Sequence, residues 1–377
     1  MRVATPDRHA ARHSRLREQL RAAGLEAVLV SSAANVAYLT GLFASTSALL
    51  VDLNELRVIV DGRYGGAARE RAAQIPGLSA VVIPSDGSIE EGVVAEFVTA
   101  GYSRAGFDED ALTVRRHQDL IARLAAAGSR ATLDPTAGMV ERLRAVKDDW
   151  ELATLRDAAS RLSDAAKYII PKALAGMSER EVAWRIEAEL HRVGFDKPAF
   201  DTIVAAGPNS AMPHHRAGSR ALEPGDLVVL DFGGMLDGYA VDLTRTITLG
   251  PPGSRERQLL ERVAGAQMAA FDAVAIGRPA TVVDDAAREA MVREGLGEAF
   301  SHGTGHGLGL EVHERPRVGR RRAGQSDERL AAGMVFTIEP GAYLPGWGGA
   351  RIEDDVVVTA SGAEWLTDVP RLMWATE

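Results

Sequence analysis

The stretch LDFGGMLDGYAVDLTRT, residues 230–246, decides how this chain is read, because it sets two carboxylates, Asp231 and Asp242, inside runs that otherwise look like apolar β-strand. At its centre stands Asp237-Gly238, a two-residue hairpin signal, since both residues tolerate the positive φ of a tight turn. The spacing predicts strands over 227–236 and 239–249, with Leu236 facing Tyr239 and Asp231 facing Thr244. Asp242 then lies on the same face as Thr244, so the two acids become diagonal neighbours with Cα atoms about 7–8 Å apart. Left unpaired there, they repel and carry a desolvation penalty of several kcal/mol. Arg245 cannot answer them, because strand alternation sends it to the opposite face. A divalent cation is the economical counter-charge; the plain alternative is a pair of solvent-facing acids on an edge hairpin.

The rest of the chain favours the cation. Glu339 ends the strand-like MVFTIE before Pro340-Gly341, and Glu353 lies in ARIEDDVVVT, again read as a strand. The segment SHGTGHGLGLEVHE, residues 301–314, brings His302, His306 and His313 among glycines that permit close backbone approach. Oxygen ligands with one imidazole suit Mn²⁺, Co²⁺, Fe²⁺ or Zn²⁺, and four carboxylates neutralise two dications where one would leave excess negative charge.

Composition bounds what surrounds this centre. A chain of 377 residues, 46% hydrophobic, can bury a sizeable core, and its length suggests two or three domains. A net charge of −9 is the wrong sign for a nucleic-acid or anionic-membrane partner. The absence of cysteine excludes disulfides and thiolate ligands and fits a reducing compartment. The amino terminus is charged and helix-patterned without an apolar signal core, and no run is long enough to span a membrane, so the expectation is a soluble, cytoplasmic protein.

Along the chain, an amphipathic helix over 8–24 is followed by strand-like EAVLVSS, SALLVDLNELRVIVDG and SAVVIPS, a helix near 90–99, and strand-like RAGFDED. That alternation is α/β. Proline and glycine near 136–139 introduce long charged helices, which sets expected domains of 1–137 and 138–377. The second contains an internal echo: GMSEREVAWRIEAELHRVG (176–194) and GRPATVVDDAAREAMVREG (277–295) match in length and apolar spacing. Each is followed by a glycine-rich, strand-like segment carrying the acids. Ser178 with Glu181 has the capping-box pattern, and Pro279 suits a helix start.

DFGGMLDGYAVDLTRT, HGTGHGLGLEVHE, TIEPG and RIEDDVVVT resemble the successive signatures of the pita-bread metallopeptidases, the group of aminopeptidase P, prolidase and methionine aminopeptidase. NVAYLTGLF (35–43) and DGRY (61–64) resemble the amino-terminal domain of the proline-specific members. The fold implied is an α/β creatinase/prolidase-like domain followed by an α+β pita-bread catalytic domain with a pseudo-two-fold repeat. The resemblance implies that Asp231 binds one metal, Asp242 and Glu353 bridge two, and His306 and Glu339 complete the second, with Mn²⁺ favoured and Co²⁺, Zn²⁺ or Fe²⁺ as alternatives. It further implies that His313 stabilises the tetrahedral intermediate, that His214 and His302 line the proline pocket, that Arg351 lies near the metals, and that the protein is a homodimer. Neighbouring His215 leaves a register ambiguity, which the distance to Asp231 resolves towards His214.

The expected chemistry is hydrolysis of an Xaa-Pro bond by a hydroxide shared between two ions, with Glu339 as general base. Within RPRVGRRRAG, a run carrying Arg315, Arg317, Arg320, Arg321 and Arg322, Arg317 is near enough to His313 to receive a substrate carboxylate. Otherwise the run is a solvated loop. Prolidase and aminopeptidase P activities both remain open, as do a pita-bread aminopeptidase without proline specificity and a catalytically silent binding module.

Overall fold

In the computed structural model, which describes residues 2–321, 324 and 327–375, the Asp237-Gly238 turn closes with φ of +51° and +86°. The flanking strands, Leu227–Leu236 and Tyr239–Leu249, pair antiparallel with Leu236 opposite Tyr239, Asp231 opposite Thr244 and Asp242 opposite Gly233. Both strands are buried nearly throughout, which is why their sequences read as continuous apolar runs interrupted only by the acids, threonines and glycines. Phe232, Leu243 and Ile247 are fully buried, each contributing about 1.5–3 kcal/mol of apolar burial.

Packing divides the chain into Arg2–Arg144 and Ala145–Glu377. The division comes later than the 137/138 boundary expected from composition because the short Glu141–Ala145 helix is bonded back to the first unit: Glu141 accepts from the Asn35 amide at 2.6 Å, and Arg144 donates to Asn35 at 2.7 Å.

The second unit is built twice over. Its first half has helices Asp149–Ile169 and Glu179–Arg192 and a sheet around the central hairpin, joined by Lys197–Pro198, Ile203–Ala206 and Met373–Ala375. Its second half has helices Ser254–Asp272 and Thr281–Arg293 and a sheet ordered Glu314–Val318, Gly305–Gly307, Val335–Ile338, Asp354–Thr359 and Gly362–Trp365. The capping box of Ser178 and Glu181 forms as the sequence requires, as does another at Asp148 and Glu151. Matching backbone bonds tie the two halves to one pattern: Gly176 N–H donates to the Leu222 carbonyl and Gly277 N–H to the Leu330 carbonyl, each at 2.8 Å. Asp231 and Glu339 follow Leu222 and Leu330 at the same distance along the chain. The repeat therefore places one acid from each half in equivalent positions.

One expectation is corrected. Glu353 does not lie within a strand: residues Gly348–Arg351 pair with Gly341–Leu344, whereas Asp354–Thr359 pair with Val335–Ile338. The chain changes partner at Glu353, which forms an isolated bridge to Thr244 through a 3.1 Å bond from its N–H to the Thr244 carbonyl.

The first unit holds a six-stranded sheet ordered Leu78–Val82, Leu56–Val60, Ser47–Asp52, Ala27–Val30, Arg104–Asp108 and Thr132–Thr136, antiparallel at its centre and parallel at both sides. Helix Ala33–Thr40 within NVAYLTGLF is held at both ends. Asp108 accepts from the Ser31 and Ser32 N–H groups before its start, and its last carbonyls receive Arg12 (Tyr38 O, 2.8 Å), His13 (Leu39 O, 2.7 Å) and Arg71 (Thr40 O, 2.9 Å). Cationic and N–H donors at a helix carboxyl end satisfy carbonyls that have no partner within the helix.

Candidate active site

The two carboxylates of the central hairpin point to one place. Ligand atoms of Asp242, His306 and Glu353 all lie within 4.8 Å of one another. Asp242 is placed by its own N–H, which donates to Asp355 at 3.0 Å; Glu353 is placed by the Thr244 hydroxyl, which donates to it at 2.5 Å. The His306 Nδ1 lies 3.2 Å from the Gly307 carbonyl. With the proton there, the Nε2 lone pair faces Glu339, whose carboxylate oxygen is 3.5 Å away. Glycine is required beside this histidine: a Cβ at Gly305 would stand 1.8 Å from the Thr337 carbonyl oxygen.

Arg351 ties Asp231 to the same cluster. The residue is 3% exposed, and its guanidinium donates to Asp231 at 2.5 Å, to the Tyr343 hydroxyl at 2.6 Å, to Thr244 at 3.2 Å and to the Pro213 carbonyl at 3.3 Å. The resemblance places Arg351 near the metals, and in the structure its donors go to protein groups, with the Asp231 carboxylate among them. Arg245 points the other way, as alternation demands, to Asp354 and the carbonyls of Glu353, Val369 and Pro370.

These acids cannot all be ionised with one arginine as counter-charge. Burial, followed by the charges of Asp231, Asp355 and Glu339, drives the Asp242 carboxyl well above its ordinary range. Burial and then Asp242, Glu339 and Asp231 do the same to Glu353, and burial raises Glu339. Among the described residues, Asp231 Oδ1, Asp242 Oδ1 and Glu353 Oε1 are buried without any hydrogen-bond partner. A buried acceptor left unsatisfied costs about 1–3 kcal/mol, more when charged. Hard oxygen donors that face each other, lack proton donors and stand beside a neutral imidazole fit divalent cations and little else. Burial lowers His306 below the usual imidazole range, which keeps that ring neutral and able to ligate.

The remaining expected residues surround this cluster unequally. His302 lies beside it, its Nε2 2.9 Å from the Tyr343 hydroxyl. His313 sits against His306 with ring centroids 4.1 Å apart, and burial, His306 and His214 lower it to about 4. The next residue, Glu314, is fixed by a buried 2.8 Å ion pair with Lys147. His214 is exposed, yet its charge bears on Glu339, His302 and His313; His215 instead bonds Glu179 at 2.8 Å, so the two adjacent histidines face different ways. Arg317 is the strand partner of His306, but its guanidinium is turned to the Arg320 carbonyl at 2.8 Å. Arg315 pairs with Glu328, while Arg322 lies outside the described residues.

Sequence reasoning missed Tyr343, Thr244, Asp355 and Glu179. Thr244 had a signal, since it was already placed opposite Asp231. Asp355 lies within RIEDDVVVT and Tyr343 four residues after Glu339, but their partners Asp242, Arg351 and His302 come from other segments or turn on a fold-level contact, and Glu179 is remote in sequence from the acids.

Residues 153–360 match the model of metallopeptidase family M24, and residues 12–146 match the creatinase/prolidase N-terminal domain. An uncharacterized peptidase of Bacillus subtilis is 35% identical over 92% of this chain and 95% of its own length. An Xaa-Pro dipeptidase of Pyrococcus furiosus is 42% identical over 62% of this chain and 66% of its own. Among solved structures, an Xaa-Pro dipeptidase from Bacillus anthracis superposes with a TM-score of 0.89 at 33% identity, covering 98% of this chain and 100% of that one. An X-Pro aminopeptidase from Thermotoga maritima does so with a TM-score of 0.85 at 30% identity, covering 96% and 99%.

Proposed function

Because this chain belongs to metallopeptidase family M24, with a creatinase/prolidase amino-terminal domain, we propose that it is an exopeptidase that hydrolyses Xaa-Pro bonds, using two divalent ions held by Asp231, Asp242, His306, Glu339 and Glu353. The observation that carries the reading is the convergence of Asp242, Glu353 and His306 within 4.8 Å, with buried oxygens of Asp231, Asp242 and Glu353 that have no hydrogen-bond partner among the described residues. The ions, when bound, polarise the scissile carbonyl and acidify a water towards neutrality.

The chain's own residues do the rest. Glu339, whose proton affinity burial has already raised, takes the proton from the attacking water and returns it to the leaving nitrogen. That return is essential for an Xaa-Pro bond, whose nitrogen starts without hydrogen. His313 and His214 donate to charge developing on the carbonyl oxygen, and His302 with His214 borders the proline ring. Arg351 holds Asp231 and the Tyr343 hydroxyl in place. Arg317 meets a substrate carboxylate after leaving the Arg320 carbonyl.

Relatives bearing the names Xaa-Pro dipeptidase and X-Pro aminopeptidase both superpose closely, which supports proline specificity and leaves peptide length to experiment. Manganese, a homodimer and a cytoplasmic setting complete the reading, the first from the oxygen-rich donor set, the second from the family likeness and the third from the absence of cysteine.

The test compares Ala-Pro, Ala-Ala, Ala-Pro-Ala and acetyl-Ala-Pro-Ala with one metal at a time added to chelated enzyme. Losing the apolar proline contact lowers kcat/KM about 10–200-fold, so Ala-Ala is expected to lag Ala-Pro by that much. Equal rates on Ala-Ala and Ala-Pro reject proline specificity. Rapid cleavage of the acetylated peptide rejects the exopeptidase reading.

A further inference from the structure

Glu179 is a fully buried carboxylate on the first turn of helix Glu179–Arg192. Four donors converge on it. One oxygen accepts the Ala206 N–H and the Asn209 side-chain amide, each at 2.9 Å; the other accepts His215 Nε2 at 2.8 Å and the Gly218 N–H at 2.9 Å. All four come from a single segment, residues 206–218, which contains His214. The same segment is fixed from its other side where Arg351, already bound to Asp231, donates to the Pro213 carbonyl.

His214 thus stands between two anchored neighbours. Pro213 is tied to the carboxylate cluster and His215 to Glu179, while His214 itself is exposed and its charge bears on Glu339, His302 and His313. Burial raises the proton affinity of Glu179, yet its four donors outweigh that and leave it below the ordinary glutamate value, so the hub is ionised at neutral pH. Charge-assisted bonds of this kind are the strong ones, and a carboxylate that satisfies four donors at once cannot be mimicked by an amide, which must turn an NH₂ towards two of them.

We infer that Glu179 is a positioning residue for the proline pocket: it holds the 206–218 segment so that His214, and not His215, faces the reacting centre. The second half of the repeat uses the same device. Asp284, fully buried on helix Thr281–Arg293, accepts from the Thr304 N–H at 2.9 Å and hydroxyl at 2.8 Å, and it fixes Arg288, which donates to the carbonyls of Phe300 and His302. Each half therefore offers one pocket histidine, and in each a buried acid on the second helix sets the loop that bears it.

The inference rests on the proposed Xaa-Pro activity for its kinetic arm, and a second arm does not. The metal-loaded full chain with Glu179→Gln is expected to keep its metal content and lose about 10–100-fold in kcat/KM on Ala-Pro, chiefly through KM. His214→Ala is made alone and in combination. If Glu179 acts through His214, adding Glu179→Gln to His214→Ala changes kcat/KM by less than about twofold; a full multiplicative loss overturns the inference. Independently of any activity, hydrogen exchange of amides in 206–218 is expected to accelerate in Glu179→Gln while exchange in 227–249 does not. Unchanged exchange in 206–218 overturns it even if no peptide is cleaved. Should Glu179→Gln not fold, Asn209→Ala, which removes one donor and leaves the carboxylate, carries the same two readouts with a smaller expected rise in KM and in local exchange; no change in either overturns the inference.

Discussion

Among the described residues, Asp242 and Glu353 each present a buried oxygen without a hydrogen-bond partner, and both have ligand atoms within 4.8 Å of His306. Replacing either with alanine is expected to lower bound metal and to abolish turnover, whereas Asp231→Ala, which also frees Arg351, costs less. Metal analysis alongside kinetics checks this; two tightly held ions with near-native turnover in Asp242→Ala reject a bridging role. Glu339→Gln preserves shape but has no basicity, so a loss of about 10²–10⁴-fold in kcat is expected. Full activity at full metal occupancy removes Glu339 from the proton path. Asp231 and Asp242 were legible in the sequence because carboxylates inside apolar strands are conspicuous, and Glu339 and Glu353 because they flank strand-like apolar runs. The Arg351 guanidinium was legible as a neighbour of Glu353 but not as the partner of Asp231, since that bond joins segments far apart in the chain.

At the scale of elements, the hairpin register follows from two residues. Asp237 and Gly238 take positive φ, and everything from Leu236↔Tyr239 to Asp231↔Thr244 is then determined. Gly238→Val forces a branched side chain into that conformation at about 1–2 kcal/mol. A Tm lower by about 2–8 °C is expected, with metal stoichiometry retained because the long strands keep their register. An unchanged Tm contradicts the strain argument. Asp284→Asn is expected to loosen the 300–304 segment and raise KM for Ala-Pro while leaving metal affinity near wild type; hydrogen exchange at Thr304 reports the loosening. The break at Glu353 was not legible, because ARIEDDVVVT carries no glycine or proline to interrupt a strand and only the rival claims of Gly341–Leu344 and Val335–Ile338 divide it.

For the whole molecule, pH and metal act on stability through different groups. In Arg2–Arg144, burial and then the guanidiniums of Arg12 and Arg71 depress His9 to about 3, and burial depresses His13 to about 4. Both are near 6.5 when unfolded, so the unfolded state binds more protons below that pH. This unit is therefore stable above pH ~6.5 and loses up to ~1.4 kcal/mol per pH unit for each histidine as pH falls towards 4. Acid titration followed by exchange in helix Ala33–Thr40 tests the sign; stability flat between pH 6.5 and 4 refutes it. Ala145–Glu377 carries the proposed metal site, so it is also expected to respond to metal: at a hundredfold excess over Kd, a single bound ion adds about 2.7 kcal/mol to folding, and chelation removes it. Calorimetry with Mn²⁺ added to chelated protein is expected to move this unit's transition alone. The sheet-and-helix rhythm and the internal echo of 176–194 and 277–295 were readable from periodicity. The pocket's supporting shell was not, because Glu179, Asp284 and Tyr343 act on loops whose course only the folded backbone reveals.

The repeat has a consequence for ancestry and for fragment design. Asp231 and Asp242 come from one half, and His306, Glu339 and Glu353 from the other, with the halves joined through residues 250–253 between Leu249 and Ser254. Neither half by itself assembles the Asp242–His306–Glu353 cluster. Each is a half-socket that gains meaning only against its counterpart. A forebear carrying a single copy would have had to self-associate to grip an ion, and duplication followed by fusion would have turned that encounter into a covalent certainty. Severing the chain at 250–253 and mixing the pieces is thus expected to restore ion binding only upon complementation, with neither piece competent in isolation.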